Sequence, residues 1–256
     1  MKVEKMRKVA IIGCADSRRY APVHEPGWEF WGVNNLYLTM PGVAWSRWFE
    51  LHGFSEGANG VWLRRGSPDF RGRPVNQYLA ELDGLGVPVY MQKEIPAVRR
   101  SVEYPLRKVL EVKEFANYFT NTISYEIALA IMEGFQTIGI WGVDMAVASP
   151  ILEQNEYSHQ RPSCEYFIGL ARGKGIEVII PDSCDLLKTR FLYAFEEDKE
   201  HAFAVKTREL VNSMRARQHE HRAQIRTLEQ KLWWAEGAEH GISEMYRNWG
   251  PIKGDV

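Results

Sequence analysis

Apolar residues along this chain recur in two rhythms, and each rhythm predicts a kind of element. Short runs rich in β-branched and aromatic residues, bounded by turn chemistry, read as strands over residues 9–12, 28–33, 45–51, 87–91, 137–141 and 176–180. The first of these, Val9 to Ile12 before Gly13, is apolar without alternation, as expected of a strand buried on both faces. Between the strands, residues 74–82, 105–112, 122–133 and 162–172 read as helices. Pro74, Pro105 and Pro162 stand near three of their first turns, and Gly134 and Gly173 follow the last two as stop signals. Strands alternating with helices imply βαβ units. The expected fold is therefore α/β: a Rossmann-like, doubly wound, mainly parallel sheet with helices on both faces, which binds ligands at the carboxyl ends of its strands.

From about residue 195 the character changes to charge-rich sequence with neither Gly nor Pro until Gly237, which predicts a long helix or helical hairpin. Phe203, Leu210, Met214, Ile225, Leu228 and Leu232 form an apolar stripe that Thr207, Arg217 and His221 interrupt. Such a stripe fits a helix packed on its own domain or on a symmetry mate better than an ideal coiled coil; an arm for a specific partner is the alternative. The expected organisation is a Rossmann-like nucleotide-binding domain over residues 1–190, a C-terminal helical arm over 191–236 and a tail over 237–256.

Composition narrows the function classes. The chain has 256 residues, 45% of them hydrophobic and 12% aromatic, ample for a core. Its 32 basic and 33 acidic residues leave a formal charge of -1, so no global field draws it to nucleic acid or anionic lipid. Basic residues from Lys206 to Arg226 are read as a solvated helix face, and nucleic acid is not an expected partner. Cys14, Cys164 and Cys184 have no CxxC spacing, which argues against a disulfide framework and against a cysteine zinc site. No apolar run approaches a signal-peptide core or a membrane span, and a cytoplasmic protein is expected.

Candidate chemistry gathers where strands end. Gly13 allows a close turn, Ser17 offers a hydroxyl, and Arg18 and Arg19 offer guanidinium forks suited to phosphate. Neither the dinucleotide G-x-G-x-x-G nor the P-loop pattern is present, which disfavours ordinary NAD enzymes and P-loop kinases. Asn34 and Asn35 follow the second strand, where amides can read a base edge or a sugar hydroxyl. Glu50 and His52 share a strand face, a usable acid/base or ligand pair, although an imidazole among aromatics is first of all a structural residue. Thr120, Asn121 and Thr122 surround a helix start, where they can cap it or meet an anion. Gly142 and Asp144 close the fifth strand, and a long loop then carries Tyr157, His159 and Arg161. Asp144 leads as the site carboxylate, His159 as the acid or base and Arg161 as a cation. A metal cage of Asp144, Glu156 and His159 has no tight motif behind it, so no protein metal site is expected; the cofactor stays open, with magnesium carried by a nucleotide donor as the candidate.

These residues together resemble a known pattern. Gly13 to Ser17 after the first strand, the Asn34-Asn35 turn, the Thr120-Asn121-Thr122 helix start and Gly142-Val143-Asp144-Met145-Ala146 with Tyr157 are similar to the Rossmann-like 6-hydroxymethylpterin diphosphokinase and motility-associated glycosylation family. More remotely they are similar to bacterial CMP-sialic acid sialyltransferases. The chain also resembles bacteriophage proteins with the run from Trp141 to Ala146 and on through residues 161–172. The likeness spans residues 8–187. It departs from the usual Gly-x-Gly-Pro-Ser in having Ala15 and Asp16, and an acidic Asp16 beside a phosphate calls for magnesium or Arg18 to offset it.

The resemblance implies a nucleotide-dependent, glycosyltransferase-like or diphosphokinase-like transferase, located in the bacterial host cell if phage-encoded. Gly13, Ser17, Arg18, Asn34, Asn35, Thr120, Asn121, Thr122 and Gly142 would hold the donor, and Asp144 its ribose, base or magnesium. His159 would deprotonate a small hydroxyl acceptor, and Arg18 or Arg161 would stabilise the departing phosphate. The alternative is a non-catalytic nucleotide sensor or sequestering protein that acts through its helical arm, through which the chain is also expected to form a homo-oligomer.

Overall fold

The structure, a computed structural model, describes residues 6–145, 156–189, 192, 195 and 199–248, with the side chains of 156–158 and 199–205 left out. Three strands open the chain: β1 (Lys8–Ile12), β2 (Trp28–Val33) and β3 (Arg47–Phe49). Two small hairpins follow, β4 (Phe54–Glu56) with β5 (Trp62–Arg64) and β6 (Asp69–Phe70) with β7 (Arg73–Pro74). The strands β8 (Val89–Met91), β9 (Ser101–Glu103), β10 (Thr137–Trp141) and β11 (Glu177–Ile179) complete the set. Seven of them form one sheet in the order β11-β10-β1-β2-β3-β8-β9, and every pairing in it is parallel. This is the doubly wound α/β architecture that the alternation of patterns predicts.

Burial explains why β1 reads as unbroken apolar sequence. Successive side chains of a strand point to opposite faces. Val9 and Ile11 enter the core shared with α4 (Thr122–Met132) and α5 (Glu156–Gly173), whereas Ala10 and Ile12 enter the core shared with α1 (Leu36–Thr39) and α2 (Val75–Gly84). The helix α3 (Leu106–Leu110) lies on the first of these faces through Val109. At the amino end of the sheet, Arg47 lies 4.6 Å over the Trp31 ring and forms a two-pronged bond to Glu133 at 2.6 and 2.8 Å.

Two departures have physical causes. α5 begins six residues before Pro162, which sits inside the helix and forgoes one ladder hydrogen bond instead of opening it. It ends at Gly173, the expected stop, and the chain reverses at Gly175, whose φ is +79. β9 was not foreseen, because a three-residue edge strand with an exposed Glu103 carries almost no periodic signal.

The chain divides after Lys188. The second unit holds α6 (Lys199–Asn248), one continuous helix that runs through Gly237 and Gly241 instead of stopping there or folding into a hairpin. No helix among the described residues is long and apolar enough to cross a membrane.

Candidate functional site at the carboxyl edge of the sheet

β1 leads to β2 on one side while β10 returns to its other side, so the strand order reverses between β1 and β10. In sheets of this kind such a switch point opens a crevice. The two loops that border it touch each other directly. A methyl group on Gly13 would lie 2.3 Å from the Gly142 carbonyl oxygen, and one on Gly142 would lie 2.2 Å from that of Gly13. Gly142 also has φ +68, a conformation that glycine adopts without strain. Both positions therefore demand glycine, Gly13 because of close approach and not because of a sharp turn.

Ser17 and Asp144 lock this contact. The buried Ser17 donates its hydroxyl to Asp144 Oδ1 at 2.5 Å and its backbone N–H to Oδ2 at 3.1 Å, and its Oγ accepts from the Gly142 N–H at 2.8 Å. The sequence places these two residues 127 positions apart, and the fold makes them one clasp. Arg18, in the same 3-10 turn, donates to the Cys14 carbonyl at 2.6 Å.

Along the same edge, Asn34 ends β2 in a left-handed conformation with φ 58. Its Oδ1 accepts from Arg71 Nη2 at 2.7 Å, and its Nδ2 lies 4.0 Å from Cys14 Sγ. Asn35 stands at the start of α1 without a side-chain capping bond. After β3, His52 Nδ1 donates to the buried carboxylate of Glu50, which also accepts from the Tyr78 hydroxyl. Tyr78 reaches the Asn34 carbonyl as well, at 3.2 Å. Burial first and Glu50 second hold the Tyr78 hydroxyl well above its ordinary value, so it stays a donor. In the neutral ring, a proton on Nδ1 facing the carboxylate makes Nε2 of His52 an acceptor, the form a general base needs. His52 opens on a recess lined by Phe54, Met91, Gln92, Lys93 and Ile95.

Around the start of α4 the polar side chains are mostly occupied. Asn121 caps the helix by accepting from Ser124 N at 2.8 Å, and its Nδ2 donates to the Gln160 carbonyl at 3.0 Å and meets Cys164 Sγ at 3.3 Å. Thr120 Oγ1 reaches the same carbonyl at 3.5 Å, and Thr122 is the first residue of the helix. These contacts tie α4 to α5. Behind them Glu126 is buried with no hydrogen-bond partner for either oxygen, and desolvation lifts its carboxyl well above the usual carboxylate range.

Of the three residues expected to do chemistry, Asp144 is held by Ser17, and the other two lie on α5. His159 is an exposed helix residue. Arg161 binds Glu165 at 2.8 Å and Asp185 at 2.9 Å, and Asp185 in turn accepts from Met145 N at 2.6 Å. Arg161 thus braces the chain just past Asp144. The side chains of Glu156 and Tyr157 lie outside the described residues. Among the described residues no group of three or more His, Cys, Asp or Glu side chains is placed to hold a metal ion.

Sequence reasoning passed over Tyr78, Glu126 and the arginines of the two hairpins. The last had a signal: Arg65-Gly66 and Arg71-Gly72 repeat a turn dipeptide with a cation, and both arginines have left-handed φ, 50 and 55. Tyr78 and Glu126 look like ordinary positions of amphipathic helices.

No protein-family model and no curated protein matches the chain. Among solved structures it is similar to the sialyltransferase CstII from Campylobacter jejuni in complex with the substrate analogue CMP-3FNeuAc, at 14% identity over 68% of this chain and 81% of that one, with a TM-score of 0.44. The same enzyme in complex with cytidine-5'-monophosphate gives 14% identity over 71% and 82%, TM-score 0.44. An apo alpha-2,3-sialyltransferase from Campylobacter jejuni gives 14% identity over 69% and 76%, TM-score 0.41.

Proposed function

We propose that this chain is a nucleotide-dependent transferase that moves a glycosyl or phosphoryl group from an activated donor to a small hydroxyl acceptor. The observation that carries the reading is the row of polar groups along one sheet edge: the Ser17–Asp144 clasp at the switch point, then Asn34, then the Glu50–His52 pair. The roles follow from what each group has left to offer. Ser17, Asp144, Gly13, Gly142, Thr120 and Asn121 are engaged with one another or with α5, so they shape the crevice. Asn34 Nδ2 and the free N–H groups at the start of α4, at Thr122, are left to face the donor. Arg18 stands beside the switch point as the cation for a departing phosphate. His52, oriented by Glu50, takes the proton from the acceptor hydroxyl; this moves the base from His159 to a residue that has a carboxylate partner. Magnesium would enter on the donor's phosphates.

A second reading has its own support. The groups expected to do chemistry are already engaged within the fold, Asp144 by hydrogen bonds from Ser17 and Arg161 by ion pairs with Glu165 and Asp185, which suits a protein that holds a nucleotide without turning it over.

A thermal-shift panel of CMP, ATP, UDP-sugars, NAD and S-adenosylmethionine, with and without magnesium, followed by a turnover assay on whichever donor binds, separates the two. Group transfer requires that His52→Ala lower turnover by about 10²–10⁴-fold with donor binding retained. A chain that binds a donor and leaves it intact is the sensor.

A further inference from the structure

The hairpin segment between β3 and α2 concentrates positive charge beside His52. Phe70 stands at the centre of the group. The Arg71 guanidinium lies 5.0 Å from its ring centroid and that of Arg64 5.6 Å, while the His52 ring packs against it at 5.2 Å and Tyr78 at 5.3 Å. Two guanidinium groups on one aromatic ring repel each other, and the neighbouring Arg65 adds to this. Arg73 in the same segment is paired with Glu81, yet no ion pair among the described residues involves Arg64, Arg65 or Arg71. The Nε of Arg64 is buried without a hydrogen-bond partner. Desolvation first, then Arg65, disfavours its charge, with Glu50 opposing and Arg71 adding to the repulsion. Arg71 gives one N–H to Asn34 and keeps the rest of its fork. A cluster of like charges with a buried unpaired donor is completed by an anion with several oxygens, which can take N–H groups from both forks at once.

We propose that Arg64 and Arg71, both packed against the Phe70 ring, form a clamp for a phosphate or carboxylate group placed next to His52. The site goes beyond the group-transfer reading, because anion binding is measured without turnover and stands or falls separately. The clamp fixes which part of a ligand lies at this end of the edge: its anionic group sits within reach of the imidazole.

The test uses the full chain and two probes, inorganic pyrophosphate and malonate, each titrated to 10 mM at constant ionic strength made up with sodium chloride. Thermal unfolding is followed, since a ligand of the native state raises the midpoint by mass action. A rise with pyrophosphate assigns the clamp to phosphate and a rise with malonate assigns it to carboxylate. In either case Arg64→Gln with Arg71→Gln must abolish at least nine-tenths of the rise, and the exposed Arg107→Gln must leave it unchanged. No rise with either probe, or an equal rise in the double variant, overturns the proposal. Should the double variant unfold without ligand, Arg71→Lys replaces it, keeping the charge but losing the fork, and must weaken anion affinity at least fivefold.

An independent observation concerns α6. Between Lys206 and Asn248 all described side chains except Ala238, Ser243 and Glu244 are exposed, including Ile225, Leu228, Leu232 and Ile242. Its apolar residues fit a heptad seam of Val211, Met214, Ile225, Leu228, Leu232 and Ile242, with polar residues at three seam positions, Gln218, His221 and Glu239. Charge is split along the helix. Lys206, Arg208, Arg215, Arg217, Arg222 and Arg226 outweigh Glu209 and Glu220, whereas farther on Glu229, Glu236, Glu239 and Glu244 outweigh Lys231 and Arg247.

We infer that α6 pairs antiparallel with α6 of a second copy. Centred between Ile225 and Leu228, this alignment sets Ile225 against Leu228 of the second copy and Val211 against its Ile242. Arg222 then flanks the second copy's Glu229 and Arg215 its Glu236. A parallel pair would instead set Arg217 beside Arg222. Sedimentation equilibrium of the full chain must show a dimer that Arg222→Glu weakens at least tenfold and that Arg222→Glu with Glu229→Arg restores. A monomer at 100 µM, including one that instead binds duplex DNA in a salt-dependent way, overturns the inference. So does a dimer that Arg222→Glu tightens.

Discussion

Ser17 and Asp144 use their hydrogen-bonding capacity on each other, and this decides what substitutions there should do. Ser17→Ala removes one partner from Asp144 and one from the Gly142 N–H in a largely water-free position. The expected loss is about 2 kcal/mol, since an orphaned buried polar group costs roughly 1–3 kcal/mol. For a chain of this size that lowers the melting midpoint by roughly 4–8 °C, which differential scanning calorimetry can read. Gly142→Ala should do at least as much harm, because its methyl group meets a backbone oxygen that cannot move aside and its φ is left-handed. Glu126 gives a prediction with the opposite sense. Its folded-state pKa is raised, so between the unfolded value near 4.3 and the folded one the native state binds more protons than the unfolded state. Stability from this group is therefore full below the unfolded pKa and falls as pH rises through the folded one. Glu126→Gln removes that slope, at most about 1.4 kcal/mol per pH unit. Its midpoint relative to the native chain should climb between pH 5 and pH 8; a constant offset across that range would mean the carboxyl is not desolvated.

Among the elements, α4 shows how a cap can serve tertiary structure. Asn121 both caps the helix and holds the carbonyl of Gln160, so Asn121→Ala should cost more than the ~1 kcal/mol typical of an isolated cap, and hydrogen exchange should rise in α4 and α5 together. Exchange confined to the first turn of α4 would show that the link to α5 has no energetic weight. The same elements mark how far the sequence could be read. β1, β2 and β10 were legible because burial on both faces leaves an unbroken apolar run, and the start of α4 because Asn-Thr before such a run is a capping signal. β9 and the hairpins were not, being too short to show a period. The two-residue repeat of a strand puts Glu50 and His52 together in the sequence, whereas β3 stops at Phe49 and the pair forms in the loop after it; its third member, Tyr78, lies 28 residues from Glu50 and meets it only through the packing of α2 on the sheet. In the same way Pro162 reads as a helix start and so puts His159 and Arg161 in a loop, whereas α5 begins at Glu156 and makes that stretch helix.

For the whole molecule, charge is distributed in a way that the net value of -1 conceals. Arg71 reaches the carboxyl edge of the sheet at Asn34, with Arg64 beside it on Phe70, and α6 carries opposite signs along its two halves. The two features belong to different units of the chain and should respond to different substitutions. Arg222→Glu is expected to shift self-association while leaving any nucleotide-dependent thermal shift unchanged, and Arg71→Gln to do the reverse. Parallel thermal-shift and sedimentation experiments on both variants check this, and a loss of both properties in either variant would tie ligand binding to assembly.

The most direct measurement of the central claim is calorimetric titration of the full chain with the nucleotide panel, repeated on Asn34→Ala, which alters the crevice without touching the clasp between Ser17 and Asp144. The account predicts that at least one nucleotide binds in a one-to-one ratio and that the substitution weakens it at least tenfold. If no nucleotide binds at millimolar concentration, or one binds equally well without the Asn34 side chain, the carboxyl edge of this sheet is not a nucleotide site.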